Sequence, residues 1–327
     1  MRVLVTGGAG YIGSHAVRRL LAHGHDVHVF DSLSMGHRAA VPVDRLTVGD
    51  LGDADHLDHV LLMHRTEAVV HFAAYAYVGE SVLQPARYYW NNLHHGLVLL
   101  ERMRRQGISK FVFSSSCSTY GVPDRVPIFE DSPQRPVSPY GWTKLALEQV
   151  LLDYARAYGW TVAVLRYFNA AGAAADGSLG EDHTPETHLI PLVLKVALGL
   201  RQHIDIFGTD YPTRDGTCVR DYVHVDDLAE AHCLAMEQLQ PGAVRIFNVG
   251  IGAGYSVREV IETARSVTGK PIPVREGPRR AGDPAELIAD STRIRTSLGW
   301  TPKYGQLRPI IETAWNWMKN HPNGYSK

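Results

Sequence analysis

The sequence predicts an α/β fold, a doubly wound parallel sheet with a smaller, discontinuous C-terminal substrate lobe. Three observations carry this. Short β-branched runs alternate with helical patterns in the first part of the 327 residues, which is the signature of βαβ units and a parallel sheet. A glycine-rich string separates the first such run from the first helical pattern. Past Gly172 the alternation gives way to frequent Gly, Ala, Asp and Pro around Ala170–Pro191. The chain is therefore expected to leave the sheet near Asn169, return near Val244 and leave again.

Taken in order, Arg2–Thr6 reads as the first strand and Tyr11–His23 as the first helix. In that helix Ile12, Ala16, Val17 and Leu20 share one face, and Gly24 supplies the stop. Asp26–Asp31, Glu67–Ala73, Lys110–Ser115 and Val162–Tyr167 are the next strands. Helices are expected over Pro85–Arg105 and Pro139–Tyr158. The second is punctuated at both ends, with Ser138 to cap, Pro139 at the first position and Gly159 to finish. Further on, a helical run covers Leu189–Leu200, Val244–Val249 is one more strand, and Tyr255–Thr268 is helical. These boundaries assign 1–169 and about 221–249 to a nucleotide-binding lobe, and 170–220 and 250–327 to a substrate lobe.

Composition removes several function classes. With 33 basic and 34 acidic residues, charge supports neither a nucleic-acid partner nor a membrane surface. Cys117, Cys218 and Cys233 are too few and scattered for a disulfide framework or a Cys-x-x-Cys metal site. A reducing compartment, the cytoplasm, is expected. Arg2-Val3-Leu4-Val5 already reads as fold rather than leader, and no apolar stretch approaches the ~20 residues of a membrane span. His23, His25 and His28 straddle a helix end, a turn and a strand start, so they are expected on a solvated surface, with no metal.

Thr6-Gly7-Gly8-Ala9-Gly10-Tyr11-Ile12-Gly13 satisfies both Gly-x-Gly-x-x-Gly and Gly-x-x-Gly-x-x-Gly between a strand and a helix. Glycines there permit a tight turn and leave room for a pyrophosphate, which the helix N-terminus attracts. The motif makes the first lobe Rossmann-type and a dinucleotide its expected cofactor. Asp31 ends the second strand, where a carboxylate bonds the adenosine ribose and repels a 2′-phosphate, which favours NAD. Arg38, further along the loop, is the one feature suited to NADP. Asp50 and Leu51 have the order to face adenine, the carboxylate for its amine and leucine for its ring.

Tyr140 and Lys144 lie one helical turn apart, and Ser116 ends a strand upstream. A free phenol, with a pKa of about 10, is a poor base at neutral pH. A cation beside it stabilises the phenolate, so Lys144 is expected to lower Tyr140.

With the glycine turn, Asp31, Ser116, Tyr140 and Lys144 in order, the chain resembles the extended short-chain dehydrogenase/reductase family. Within it, the chain is similar to the UDP-galactose/UDP-glucose 4-epimerases. The resemblance runs nearly end to end. Phe113–Gly121 and Pro139–Lys144 carry it at superfamily level, while Leu165-Arg-Tyr-Phe-Asn169 and Asp210–Tyr222 point to the epimerases. Gly180-Glu-Asp, Thr187–Pro191, Phe207-Gly208 and Arg279–Asp283 complete it.

The resemblance implies catalysis by Ser116, Tyr140 and Lys144. It implies an NAD site from Gly7, Gly10, Tyr11, Ile12, Gly13, Asp31, Asp50, Leu51, Phe72, Ala73, Ala74, Asn91, Tyr140, Lys144 and Tyr167. The UDP-sugar would meet Ser116, Tyr140, Phe168, Asn169, His188, Leu189, Phe207, Arg220, Arg280 and Asp283. Arginine suits the diphosphate because its planar fork pairs two oxygens; an ion pair between Arg220 and Asp221 is the alternative for that side chain. A homodimer joined through Pro85–Arg105 and Pro139–Tyr158 is also implied.

The chain departs from the family pattern at Ala76, where several members place a lysine, and at Met35, often polar. Leu287 falls where side-chain bulk admits or excludes an N-acetyl group on the sugar. UDP-N-acetylhexosamine or UDP-pentose epimerisation therefore stays open, as does a catalytically silent NAD-binding sensor. A 4,6-dehydratase needs an acid–base pair directly after the active-site Ser/Thr, and this chain has Cys117 and Ser118 there.

Overall fold

The structure, a computed structural model, describes residues 1–280 and 282–325. Ala281, inside the Arg279–Asp283 motif, lies outside them. The strands are β1 (Arg2–Thr6), β2 (Asp26–Asp31), β3 (Leu46–Val48), β4 (Ala68–His71), β5 (Lys110–Ser116), β6 (Thr161–Tyr167), β7 (Asn169–Ala171), β8 (Ile204–Phe207), β9 (Val219–His224), β10 (Val244–Val249), β11 (Gly254–Ser256), β12 (Val274–Gly277) and β13 (Glu286–Leu287).

Seven of them form one sheet in the order β10-β6-β5-β4-β1-β2-β3, with every pair parallel. Helices cover both faces, so β4 is buried at all four positions, Ala68, Val69 and Val70 as an apolar run and His71 at its end. Strand order reverses at β1, which pairs β2 on one side and β4 on the other. A crevice opens at the carboxyl ends of strands where the order reverses, and ligands bind there.

The second lobe has its own core. Ile190, Val193 and Leu194 of the Leu189–Ala197 helix pack with Val260, Ile261, Ile310, Ile311 and Trp317. Its sheets are β11-β9-β13, with β7 also on β9, and the pair β12-β8. Two stretches depart from the expected division. Ile294, Leu298 and Trp300 pack into the core of the large sheet. Residues 219–224, in turn, form the centre of the small sheet before the Val225–Gln238 helix returns to cover the Tyr11–Ala22 helix.

The Pro85–Arg105 segment is helical along its full length, as expected, but changes its winding midway. A π turn over Tyr89–His94 separates the Pro85–Tyr88 and His95–Arg105 helices. Its wider winding accompanies the burial of Asn92, whose side chain bonds both main-chain groups of Tyr75 and reaches Thr143 Oγ1.

The histidines near the first turn are not solvated as expected. His23 Nδ1 and His25 Nε2 lie 3.1 and 2.7 Å from Glu237 Oε1, and His28 stacks on His64. The Val225–Gln238 helix, for which the sequence showed no separate signal, brings that carboxylate to them.

Candidate active site

Ser116 ends β5, and the Pro139–Tyr158 helix begins where Ser138 accepts the Gly141 amide at 3.2 Å. Gly159, at φ +68°, ends that helix as anticipated. One turn apart on its inner face, Tyr140 and Lys144 are 5% and 3% exposed. Lys144 Nζ donates to the Ser114 carbonyl at 2.8 Å and sits 5.9 Å from the centre of the Tyr140 ring. The Ser116 Oγ accepts the Ser118 amide and donates to its hydroxyl, both at 3.1 Å.

The electrostatics correct one expectation. Burial pushes the Tyr140 phenol well above its ordinary value, and nearby Tyr167 adds to the rise, while Ser116 works against it. Lys144 is itself pulled down to about 7 by burial, with Glu148 opposing. A lysine so desolvated carries less charge at neutral pH, which weakens its pull on the phenol.

Behind these groups lies a buried frame. Arg166, on β6, donates through Nη2 to Glu148 Oε2 at 2.7 Å, with side chains 3% and 2% exposed. Ser115 also donates to Glu148, and Arg166 Nη1 donates to the Tyr120 hydroxyl. This network fastens the helix bearing Tyr140 and Lys144 to the strand bearing Ser116. Sequence reading missed it, because a charge at position 148 of a helix looks like a solvated face until the strand partner is known.

Next to the trio runs a cleft of about 340 Å³ at the sheet's reversal point. Gly7, Gly10, Tyr11, Ile12, Gly13, Asp31, Asp50, Leu51, Phe72, Ala73, Ala74, Asn91, Ser116, Tyr140 and Tyr167 all line it. The turn could not be built otherwise. Gly7 has φ +72°, and a Cβ there would meet Ala73 N at 2.4 Å. One at Gly13 would meet the Gly7 carbonyl at 2.2 Å. Such a cradle suits a pyrophosphate against bare backbone.

Asp31 accepts the Ala9 and Leu33 amides, one on each oxygen, at 2.9 and 2.8 Å. Its burial raises its pKa, and both oxygens keep further lone pairs. Asp50 lies 3.2 Å from His95 Nδ1, a partner the sequence did not suggest. Met35 and Ala76, the departures noted above, also line the cleft.

On the substrate side, Phe168, Asn169 and His188 line the same cleft. Leu189, Phe207, Arg220, Arg280 and Asp283 are not among its lining residues. Leu189 packs against the second lobe's core instead, since it opens an apolar helix there. The other four gather beyond it. Arg280 Nε donates to Asp283 at 2.9 Å and its guanidinium lies over the Phe207 ring.

Arg220 donates to the carbonyls of Val219 and Pro284. It does not pair with Asp221, whose buried carboxylate accepts the amides of Ile251, Gly252 and Ala289. Leu287 pairs beside Arg220 across β13 and β9, and packs against the cluster containing Cys117 and Phe168. Lining residues that the sequence reading did not select include Ser118, Tyr75, Glu181 and His183. For the last two, the repeated acid and histidine spacing at 181–188 was an available signal.

Known proteins resemble this chain over nearly its whole length. The model of the NAD dependent epimerase/dehydratase family matches residues 3–250. A UDP-glucose 4-epimerase of Halalkalibacterium halodurans is 53% identical, covering 100% of this chain and 98% of that protein. A crystal structure of a UDP-glucose 4-epimerase superposes with a TM-score of 0.96 at 49% identity, covering 99% of each chain. The UDP-glucose 4-epimerase of Bifidobacterium longum, solved in complex with NAD+ and UDP, gives 0.94 at 39% identity, again over 99% of each chain.

Proposed function

Because the chain belongs to the NAD dependent epimerase/dehydratase family, we propose that it inverts C4 of a UDP-hexose, interconverting UDP-glucose and UDP-galactose with NAD. The observation that carries this is that Ser116 and Tyr140, with Lys144 buried one helical turn behind Tyr140, stand on a cleft that the glycine turn and Asp31 also line. Full-length identity to UDP-glucose 4-epimerases supports the substrate class.

NAD, when bound, would supply a reversible hydride acceptor and, when oxidised, a positive charge. Tyr140 takes the proton from the sugar O4 during oxidation and returns it after the sugar has turned over. Ser116 hydrogen-bonds O4 as it becomes a carbonyl. Lys144, held by the Ser114 carbonyl, orients toward the phenol and the nicotinamide ribose. Asp31 holds the adenosine ribose, and the backbone around Gly7, Gly10 and Gly13 receives the pyrophosphate. Asn169, Arg220, Arg280 and Asp283 hold the nucleotide of the substrate, so the 4-keto sugar turns over while tethered. Phe168 and Leu287 wall the sugar.

We assign the lobes as expected, except that 221–224 move to the substrate side and 291–300 join the nucleotide-binding side. A homodimer is supported by apolar side chains left exposed on the Val78–Leu83 to His95–Arg105 segment and the Pro139–Tyr158 helix. Leu83, Trp90, Leu97 and Trp142 are 83%, 62%, 36% and 48% exposed, a pattern that marks an interface. A cytoplasmic location is supported by three free cysteines, all buried. Among the described residues no helix is long and apolar enough to cross a membrane.

The test is to add UDP-galactose to purified protein and follow UDP-glucose. Conversion without net NADH release is expected. Bound NAD with no turnover of any UDP-sugar would favour the silent sensor instead.

A further inference from the structure

The loop leading into the Leu189–Ala197 helix carries a side-chain cluster in which only His188 has a part in the expected substrate site. Glu181, His183, Glu186 and His188 each offer one donor atom, and these atoms all lie within 4.8 Å of one another. We propose that this cluster is a structural zinc site, which clamps the loop forming one wall of the cleft.

The spacing fits a metal. A tetrahedral zinc with bonds of about 2.0–2.1 Å separates its donor atoms by about 3.3 Å. Here His188 Nδ1 lies 2.7 Å from Glu181 Oε1 and 3.1 Å from Glu186 Oε1. His183 Nδ1 lies 3.2 Å from Glu181 Oε1 and 3.8 Å from Glu186 Oε2. With a different Glu186 oxygen facing each histidine, these four separations lie on either side of that edge, and one donor atom from each residue falls within 4.8 Å of the others.

A second observation is independent of spacing. The Glu181 side chain is 7% exposed, and neither its Oε1 nor His183 Nδ1 makes an aligned hydrogen bond, although His188 Nδ1 stands 2.7 Å from that oxygen. Two buried polar atoms that face each other without a properly aligned bond are costly unless something between them satisfies both. A cation does so. Glu186 is prepared for the same task, because its Oε1 accepts the Thr187 and His188 amides at 2.7 and 2.8 Å, which orients the carboxylate.

The donor set selects the ion. Two imidazoles with two carboxylates suit zinc, whereas calcium and magnesium prefer six or more oxygens, counting waters. Four protein ligands complete a tetrahedron and leave no open position, so the site is structural rather than catalytic. His188 is 44% exposed at its side chain, which provides an entry path. The rings of Tyr11 and Tyr77 meet His183 edge-on, and the Tyr11 hydroxyl donates to the Gly172 carbonyl. Clamping 181–188 thus steadies Tyr11, the residue directly after Gly10 of the phosphate turn.

The experiment measures metal directly on tag-free, full-length protein purified without chelator. Elemental analysis by plasma mass spectrometry should find about one zinc per chain. After stripping, Zn2+ added alone against a chromophoric competitor should rebind at the same stoichiometry. Co2+ added alone should give the intense visible bands of a tetrahedral centre.

His183→Ala and Glu181→Gln should each weaken zinc by about 100-fold or more, beyond what loss of an outer partner costs. A folded wild-type protein that binds no zinc would overturn the proposal and leave a histidine–glutamate ion-pair cluster. So would unchanged affinity in both variants, which would move the metal elsewhere. Should His183→Ala fail to fold, Glu181→Gln and the wild-type stoichiometry still decide.

Discussion

Lys144 Nζ donates to the main-chain oxygen of Ser114 at 2.8 Å, which ties the Pro139–Tyr158 helix to β5 two residues before Ser116. The bond keeps the ammonium inside the protein, although burial favours its neutral form. Function and stability therefore pull against each other at this lysine.

Lys144→Met tests that conflict. The folded pKa is lowered to about 7, below the ordinary ~10.4 of a free lysine. Between these values the unfolded chain binds more protons than the folded one, so wild-type stability rises with pH there. The methionine variant lacks this dependence. It is expected to be the more stable form near pH 7, by on the order of 1–3 kcal/mol, and to lose that advantage as pH approaches 10. Urea unfolding of both proteins across that range checks the sign; an advantage that grows with pH would contradict the burial argument. Epimerisation should fall sharply in the same variant.

Tyr140→Phe removes the hydroxyl and leaves the ring. Turnover should drop by about 10²–10⁴-fold, the usual contribution of a positioned proton-transfer group. NAD should remain bound, since the glycine turn and Asp31 are untouched. Near-normal turnover would remove Tyr140 from the proton path.

Glu148→Ala leaves Arg166 charged and 2% exposed without its partner. Breaking a buried pair from one side costs about 3–5 kcal/mol, so the unfolding midpoint in urea should fall markedly. Arg166→Met with Glu148→Leu should recover much of that loss, because it removes both charges together. If the single variant unfolds like wild type, the pair is not a frame for the site.

Leu287→Tyr adds bulk where Cys117 and Phe168 already pack. Turnover of UDP-N-acetylglucosamine should fall relative to UDP-glucose when both are assayed on one preparation. An unchanged ratio would mean that Leu287 does not face the sugar.

What was legible from sequence was local. The β1–glycine turn–helix unit, the acid at the end of β2, and the Ser138, Pro139 and Gly159 punctuation each depend on sterics within a few residues. The spacing of Tyr140 and Lys144 follows from the helix period alone. The extended family resemblance rested on these same short segments, and the fold carries them as expected.

The remaining features depend on burial and on segments far apart in the chain. Enclosure raises Tyr140 and lowers Lys144, the opposite of the simple pairing argument. The return of the Val225–Gln238 helix brings Glu237 to His23 and His25, and Asn92 becomes internal only because a π turn meets Tyr75 and Thr143. Backbone sterics act between neighbours and can be read along a sequence. Desolvation depends on everything that packs around a group, and that environment exists only once the chain has closed on itself.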